Sequence, residues 1–144
     1  MKKKKRKMKL EMQIKNEKPP ILDKILAAGM HPNLESTIFT YGDTIYNPSG
    51  RPIPDYLLAH EATHFKQQID PAAWWDQYLK DKEFRFDQEA EAYANQYKFM
   101  CKKVKDRNMR FRILYELAGA LSGPTYGNMT TQSEALNIIK QKAK

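Results

Sequence analysis

The run His60-Glu61-Ala62-Thr63-His64 constrains this chain more than any other feature. Histidines four apart share one face of an α-helix, so the pattern HExxH calls for a helix here and for a facing element that completes whatever the two imidazoles bind. On such a helix the ring nitrogens can share one zinc ion, and the intervening Glu61 can reach a zinc-bound water. Leu57, Leu58 and Ala59 before the run and Phe65 after it supply apolar flanks. The two middle positions, Ala62 and Thr63, are uncharged and suit a helix lying along the floor of a cleft. The bland alternative is two structural histidines that happen to bracket a glutamate. In a chain with only three histidines the metal reading outweighs it.

A catalytic zinc site usually has three protein ligands and a water. Cys101 is the only cysteine, so no disulfide framework and no multi-cysteine zinc site can form within the chain, and the third ligand must be a histidine or a carboxylate. His31 lies upstream in a loop. Downstream, the segment from Phe84 to Tyr97 (FRFDQEAEAYANQY) offers Glu89 and Glu91. Phe86, Ala90, Tyr93, Tyr97, Met100 and Val104 form a stripe at helical spacing that should face the core. At about 100° per residue, Glu89 sits at the edge of that stripe and Glu91 nearly opposite it. Glu89 is therefore the expected ligand.

An HExxH run followed by a glutamate on a second helix in an E-x-x-A context, here Glu89 to Ala92, resembles the gluzincin class of zinc metallopeptidases. The neighbourhood HEATHFKQQ, then WW, then FRFDQEAEAYANQY, then LSGPTYGNM, is similar to small HExxH proteins encoded by phages and prophages. The resemblance implies a zincin-like α+β fold, zinc (Zn2+) held by His60, His64 and Glu89, and peptide or protein hydrolysis with Glu61 as general base. An oxyanion would then need a further donor. Tyr126, in the turn flanked by Gly and Pro, is the first candidate and His31 the second. One departure stands out: gluzincins often carry Asp or Asn four residues after the ligand glutamate, to orient a ligand histidine. From Glu89 that position is Tyr93, whereas from Glu91 it is Asn95. The helical face still favours Glu89, with the Tyr93 hydroxyl as a possible orienting group.

Around this centre the chain reads as mostly helical with a small antiparallel sheet. Met8, Leu10, Met12 and Ile14 alternate with polar residues, the pattern of a half-buried strand. A short helix spans Ile21 to Met30, closing near Gly29. Ser36 to Tyr41 and Thr44 to Tyr46 form a hairpin around Gly42-Asp43, whose edge could accept an extended peptide. Asn47 to Pro54 is a loop, and helices follow over 55 to 69, 71 to 80, 83 to 105 and 108 to 121. The last, 132 to 142, is introduced by Thr131 and Glu134 at the spacing of a capping box. Trp74, Trp75 and Tyr78 are expected to pack the short helix, and Cys101 to be a buried, inert thiol. Gln67 and Gln68 are polar neighbours of the site whose role is open.

At 144 residues the chain fits about one domain, and its hydrophobic share of 41% excludes wholesale disorder. No apolar run approaches the roughly 18 residues of a membrane span, and no apolar h-region follows the basic start, so the default compartment is cytoplasmic. The net charge of +8 is concentrated: residues 1 to 18 hold nine basic side chains against Glu11 and Glu17, and the rest is nearly balanced. Basicity then belongs to an arm rather than a folded face, with residues 1 to 7 a disordered basic arm and 8 to 144 the domain. Two rival functions follow. One is a catalytically silent zinc-binding or virion-associated protein; the other is a module that binds nucleic acid non-specifically through the lysine arm.

Overall fold

The computed structural model describes residues 12 to 144. The basic arm and the Met8 and Leu10 positions of the first expected strand lie outside the described residues.

The hairpin forms where the sequence places it. Strand β2 (Phe39–Tyr41) turns through Gly42 at φ +62° into β3 (Thr44–Tyr46), with Tyr41 opposite Thr44. The positive φ is a conformation that glycine adopts without steric cost. Strand β1 (Gln13–Lys15) joins the other edge of β3, giving the order β1-β3-β2. Here the structure corrects the expected antiparallel sheet. β1 runs parallel to β3, pairing Gln13 with Thr44 and Lys15 with Tyr46, so the sheet is mixed. Alternation in sequence carries no direction. A parallel pair needs a long crossover, and the segment between β1 and β3 provides one through helix α1 (Leu22–Ala27) and the loop after it. The half-buried reading of β1 also fails, because Ile14 is 53% exposed. Helix α1 stops as expected: Gly29 takes φ +89°, and the Met30 and Gly29 amides donate to the Ile25 and Leu26 carbonyls.

Five longer helices follow: α2 (Asp55–Gln67), α3 (Pro71–Lys80), α4 (Lys82–Lys103), α5 (Arg107–Leu121) and α6 (Gln132–Lys142), with a 3-10 turn at Pro124–Tyr126. Side chains cap most of their N-termini. Asp70 accepts from the Ala73 amide, Asp81 from those of Glu83 and Phe84, Asp106 from Met109 and Thr131 from Glu134. Each satisfies an amide that a helix start otherwise leaves without a partner. Asp106 also explains why α4 ends before Lys105: it opens the next helix.

Helix α4 is the spine of the molecule and is buried on two sides. Phe86, Ala90 and Ala94 pack with Leu114, Ala118 and Leu121 of α5 and Ala135 and Ile139 of α6. The adjoining stripe of Arg85, Glu89, Ala92 and Gln96 is also buried, and its polar members meet α2 and α3. A second apolar cluster joins Ile21, Ile25 and Phe39 to Trp74, Trp75 and Tyr78, tying α3 to α1 and the sheet. Among the described residues no helix is long and apolar enough to cross a membrane.

Ala92 is fully buried between Glu89 and Gln96 on the stripe that meets α2. A larger side chain there must push the two helices apart. Ala92→Leu should lower unfolding stability by about 1 to 3 kcal/mol, the usual cost of overpacking, measured by denaturant titration. An unchanged midpoint would show that the α2–α4 interface is looser than described.

Candidate metal centre

Helix α2 carries His60, Glu61, Thr63 and His64 as its buried residues, so the HExxH run faces inward. Glu89 reaches it from α4 and is itself only 4% exposed. The carboxylate's Oε1 lies 3.0 Å from Nε2 of His60 and 3.3 Å from Nε2 of His64. Ligand atoms bound to one zinc at about 2.0 to 2.2 Å in a tetrahedron lie roughly 3.3 to 3.5 Å apart, so these separations need little adjustment. One ligand atom from each of His60, His64 and Glu89 falls within 4.8 Å of the others, a buried group able to hold a metal ion.

The surrounding hydrogen bonds fix how the donors point. Gln67 uses its amide nitrogen to donate to the Gln88 carbonyl at 3.0 Å and to Glu91 at 2.7 Å. Its oxygen is therefore an acceptor for Nδ1 of His64 at 2.8 Å, which places a proton on Nδ1 and leaves Nε2 facing Glu89, a donor when protonated and a possible metal ligand when not. Gln96 stands 2.9 Å from Nδ1 of His60 in the same relation. Tyr78 donates to the other oxygen of Glu89, Oε2, at 2.6 Å. Each ligand side chain is thus held by a partner on its far side, which is how proteins orient metal ligands.

Charge follows the same pattern. Burial disfavours the anion of Glu89, yet the His64 charge and the hydrogen bonds from both histidines hold its carboxyl well below the usual carboxylate range. Burial likewise opposes the His64 cation, but the Glu89 carboxylate outweighs it and pushes that imidazole up to about 9. The cluster demands positive charge at the point where the three ligands meet. Glu61 behaves differently: burial raises its carboxyl, against the lowering influence of His64, His60 and the hydroxyl of Thr40. That hydroxyl donates to Glu61 Oε1 at 2.8 Å.

These groups lie in a cleft of about 640 Å³ between the α1–β2 segment and the helices, with Phe39, Thr40, Trp74 and Tyr78 among its walls. Tyr126 and His31 both line it. The Tyr126 hydroxyl is 3.2 Å from that of Tyr93, and burial raises both phenols so that they stay protonated. Tyr93 does not orient a histidine through its hydroxyl; its ring packs edge-on against His60 at 4.7 Å. Asn95, the residue favoured by the gluzincin spacing, donates to Thr63 instead. Glu91 is exposed and reaches the centre only through Gln67. The edge of β2 is not open at Thr40, whose carbonyl already accepts from Gln68 and Trp75.

Sequence reasoning missed Gln96, Thr40 and the hydroxyl of Tyr78. Gln96 had a signal, since seven residues after Glu89 is two helical turns on the same face. Thr40 had none, because only folding brings β2 against α2. Tyr78 is buried in the aromatic cluster, as expected, but also supplies a hydrogen bond that composition alone does not reveal.

Compared with protein-family models, curated proteins and solved structures, the chain matches none.

The geometry separates the two acidic candidates. Glu89→Ala should abolish tight zinc binding, measured by metal titration against a chromophoric chelator, whereas Glu91→Ala should change the affinity by less than about tenfold, since Glu91 lies one hydrogen bond beyond Gln67, which itself partners His64. Loss of zinc from Glu91→Ala with retention by Glu89→Ala would contradict the assignment.

Proposed function

We propose that the protein is a zinc-dependent peptidase of gluzincin type. The observation that supports this reading is the meeting of His60, His64 and Glu89 beside Glu61 at the floor of an open cleft. Two imidazoles and one carboxylate are the donor set of a catalytic rather than a closed structural zinc site. A zinc ion held there would act as a Lewis acid, polarising a scissile carbonyl and lowering the pKa of water towards 7.

The protein's own groups then carry the proton and the charge. Glu61 sits between the histidines with a carboxyl raised by burial, which makes it a stronger base than an exposed glutamate. It takes the proton of the attacking water and delivers it to the departing amine. Thr40 holds one oxygen of Glu61 at 2.8 Å, leaving the other for this work. Tyr126 faces the cleft as a protonated phenol and can donate to the oxyanion that develops on the carbonyl. Tyr78 restrains Glu89 through Oε2, so that Oε1 is presented to the metal.

Glu61→Gln removes the base without touching a ligand. Zinc content should remain at that of the wild type while cleavage of a fluorogenic peptide library falls by about 10² to 10⁴-fold. Tyr126→Phe should lower kcat by about 10² or more, if the hydroxyl serves the oxyanion. Undiminished turnover by Glu61→Gln would overturn the mechanism.

A further inference from the structure

Basic residues are concentrated not only in the N-terminal arm but also where α4 passes into α5. Positions 98 to 112 hold seven basic residues against a single acid, Asp106. That acid is engaged as the N-cap of α5. Two of the seven are committed locally. Lys103 pairs with Asp55 at 3.0 Å, and Arg110 donates to the carbonyls of Val104 and Cys101. The Arg110 bonds clamp the end of α4 to the first turn of α5, which fixes the junction that Lys102 and Lys105 precede and Arg107 follows. Lys102, Lys105, Arg107 and Arg112 are exposed, and none has a carboxylate within 4.0 Å among the described residues.

Along α5 beyond Arg107 two aromatic rings stand in solvent, with Arg112 between them in sequence and the exposed Glu116 directly after them. Phe111 is 58% and Tyr115 50% exposed. They are one helical turn apart on α5, with ring planes 21° from parallel and centroids 6.3 Å apart. Arg107 precedes them by one turn on the same side. Leu114, Ala118 and Leu121 account for the packing of α5, so the core does not require these rings.

We propose that this face binds single-stranded nucleic acid, with phosphates on Lys102, Lys105, Arg107 and Arg112 and bases stacked on Phe111 and Tyr115. A cationic surface interleaved with aromatic rings is how proteins hold single strands without reading sequence. Charge excludes the other coverings that the chain itself could supply. The N-terminal arm is strongly basic, and a second copy would bring a like-charged face. An anionic membrane suits the rings less well, because they are flanked by arginines and Asn108 and the aliphatic side chains Leu114 and Leu121 point inward. An interfacial helix needs a continuous apolar face.

The test measures anisotropy of a labelled 20-mer oligothymidylate with the full chain at fixed salt. Phe111→Leu together with Tyr115→Leu keeps apolar bulk but removes both rings. This variant should bind about tenfold or more weakly, while its thermal unfolding stays unchanged because both positions are exposed. Arg107→Glu with Arg112→Glu should also weaken binding, and should flatten the salt dependence by about 1.4 in the logarithmic slope. Inorganic polyphosphate, which has charge but no bases, should bind equally to wild type and to the double leucine variant. The proposal is overturned if the double leucine variant binds oligothymidylate as the wild type does, since the affinity then resides in the arm. It is equally overturned if the wild type ignores oligothymidylate and binds phosphatidylserine vesicles.

Discussion

A carboxylate buried between two imidazoles governs much of this molecule. Glu89 is almost without solvent, and an isolated anion at such a place would cost several kcal/mol. It is tolerated because His60 and His64 reach it from α2 and Tyr78 from α3. Three helices thus meet at one side chain. The arrangement also bears on the chemistry, since both imidazole Nε2 atoms converge on this carboxylate and a bound cation would take the place of the charge that His64 supplies.

That demand explains why α4 is built with two buried faces. Its alanines let α5 and α6 approach closely on one side, while the Arg85, Glu89, Ala92 and Gln96 stripe meets α2 and α3 on the other. Arg85 donates to the Tyr78 and Leu79 carbonyls at the end of α3, satisfying groups that the helix leaves open. The same contact holds Tyr78 where its hydroxyl meets Glu89. Stability and site geometry therefore share residues. The outer face of α5 belongs to neither, which leaves Phe111, Tyr115 and their arginines free for a partner.

Much of this was legible in the sequence where local physics decides. Pro71 to Lys80 and Gln132 to Lys142 form helices with the boundaries read from proline, the capping residues and periodicity. Helical phase brought Glu89 rather than Glu91 towards the histidines, and the spacing rule that pointed to Asn95 did not describe this chain. What depends on long-range topology was not legible. The direction of β1 is set by the crossover through α1, and Thr40 meets Glu61 only because the hairpin folds over α2. A single amphipathic stripe was the wrong picture for α4, because a helix packed on both sides shows no single apolar face. Cys101, expected to be buried, is half-buried, because it lies near the end of α4 where the packing thins. The charge of positions 98 to 112 was hidden by averaging over the whole domain.

The proposed function requires His60, His64 and Glu89 to hold one zinc together and to leave room for water. Zinc X-ray absorption spectroscopy on the full chain, loaded with one equivalent, tests it most directly. The spectrum should show two imidazole nitrogens at about 2.0 to 2.1 Å and oxygen ligands at about 2.0 to 2.2 Å, with the imidazole scattering lost in a His60→Ala, His64→Ala double variant. A shell of oxygens alone, or a spectrum indifferent to that double substitution, would contradict it.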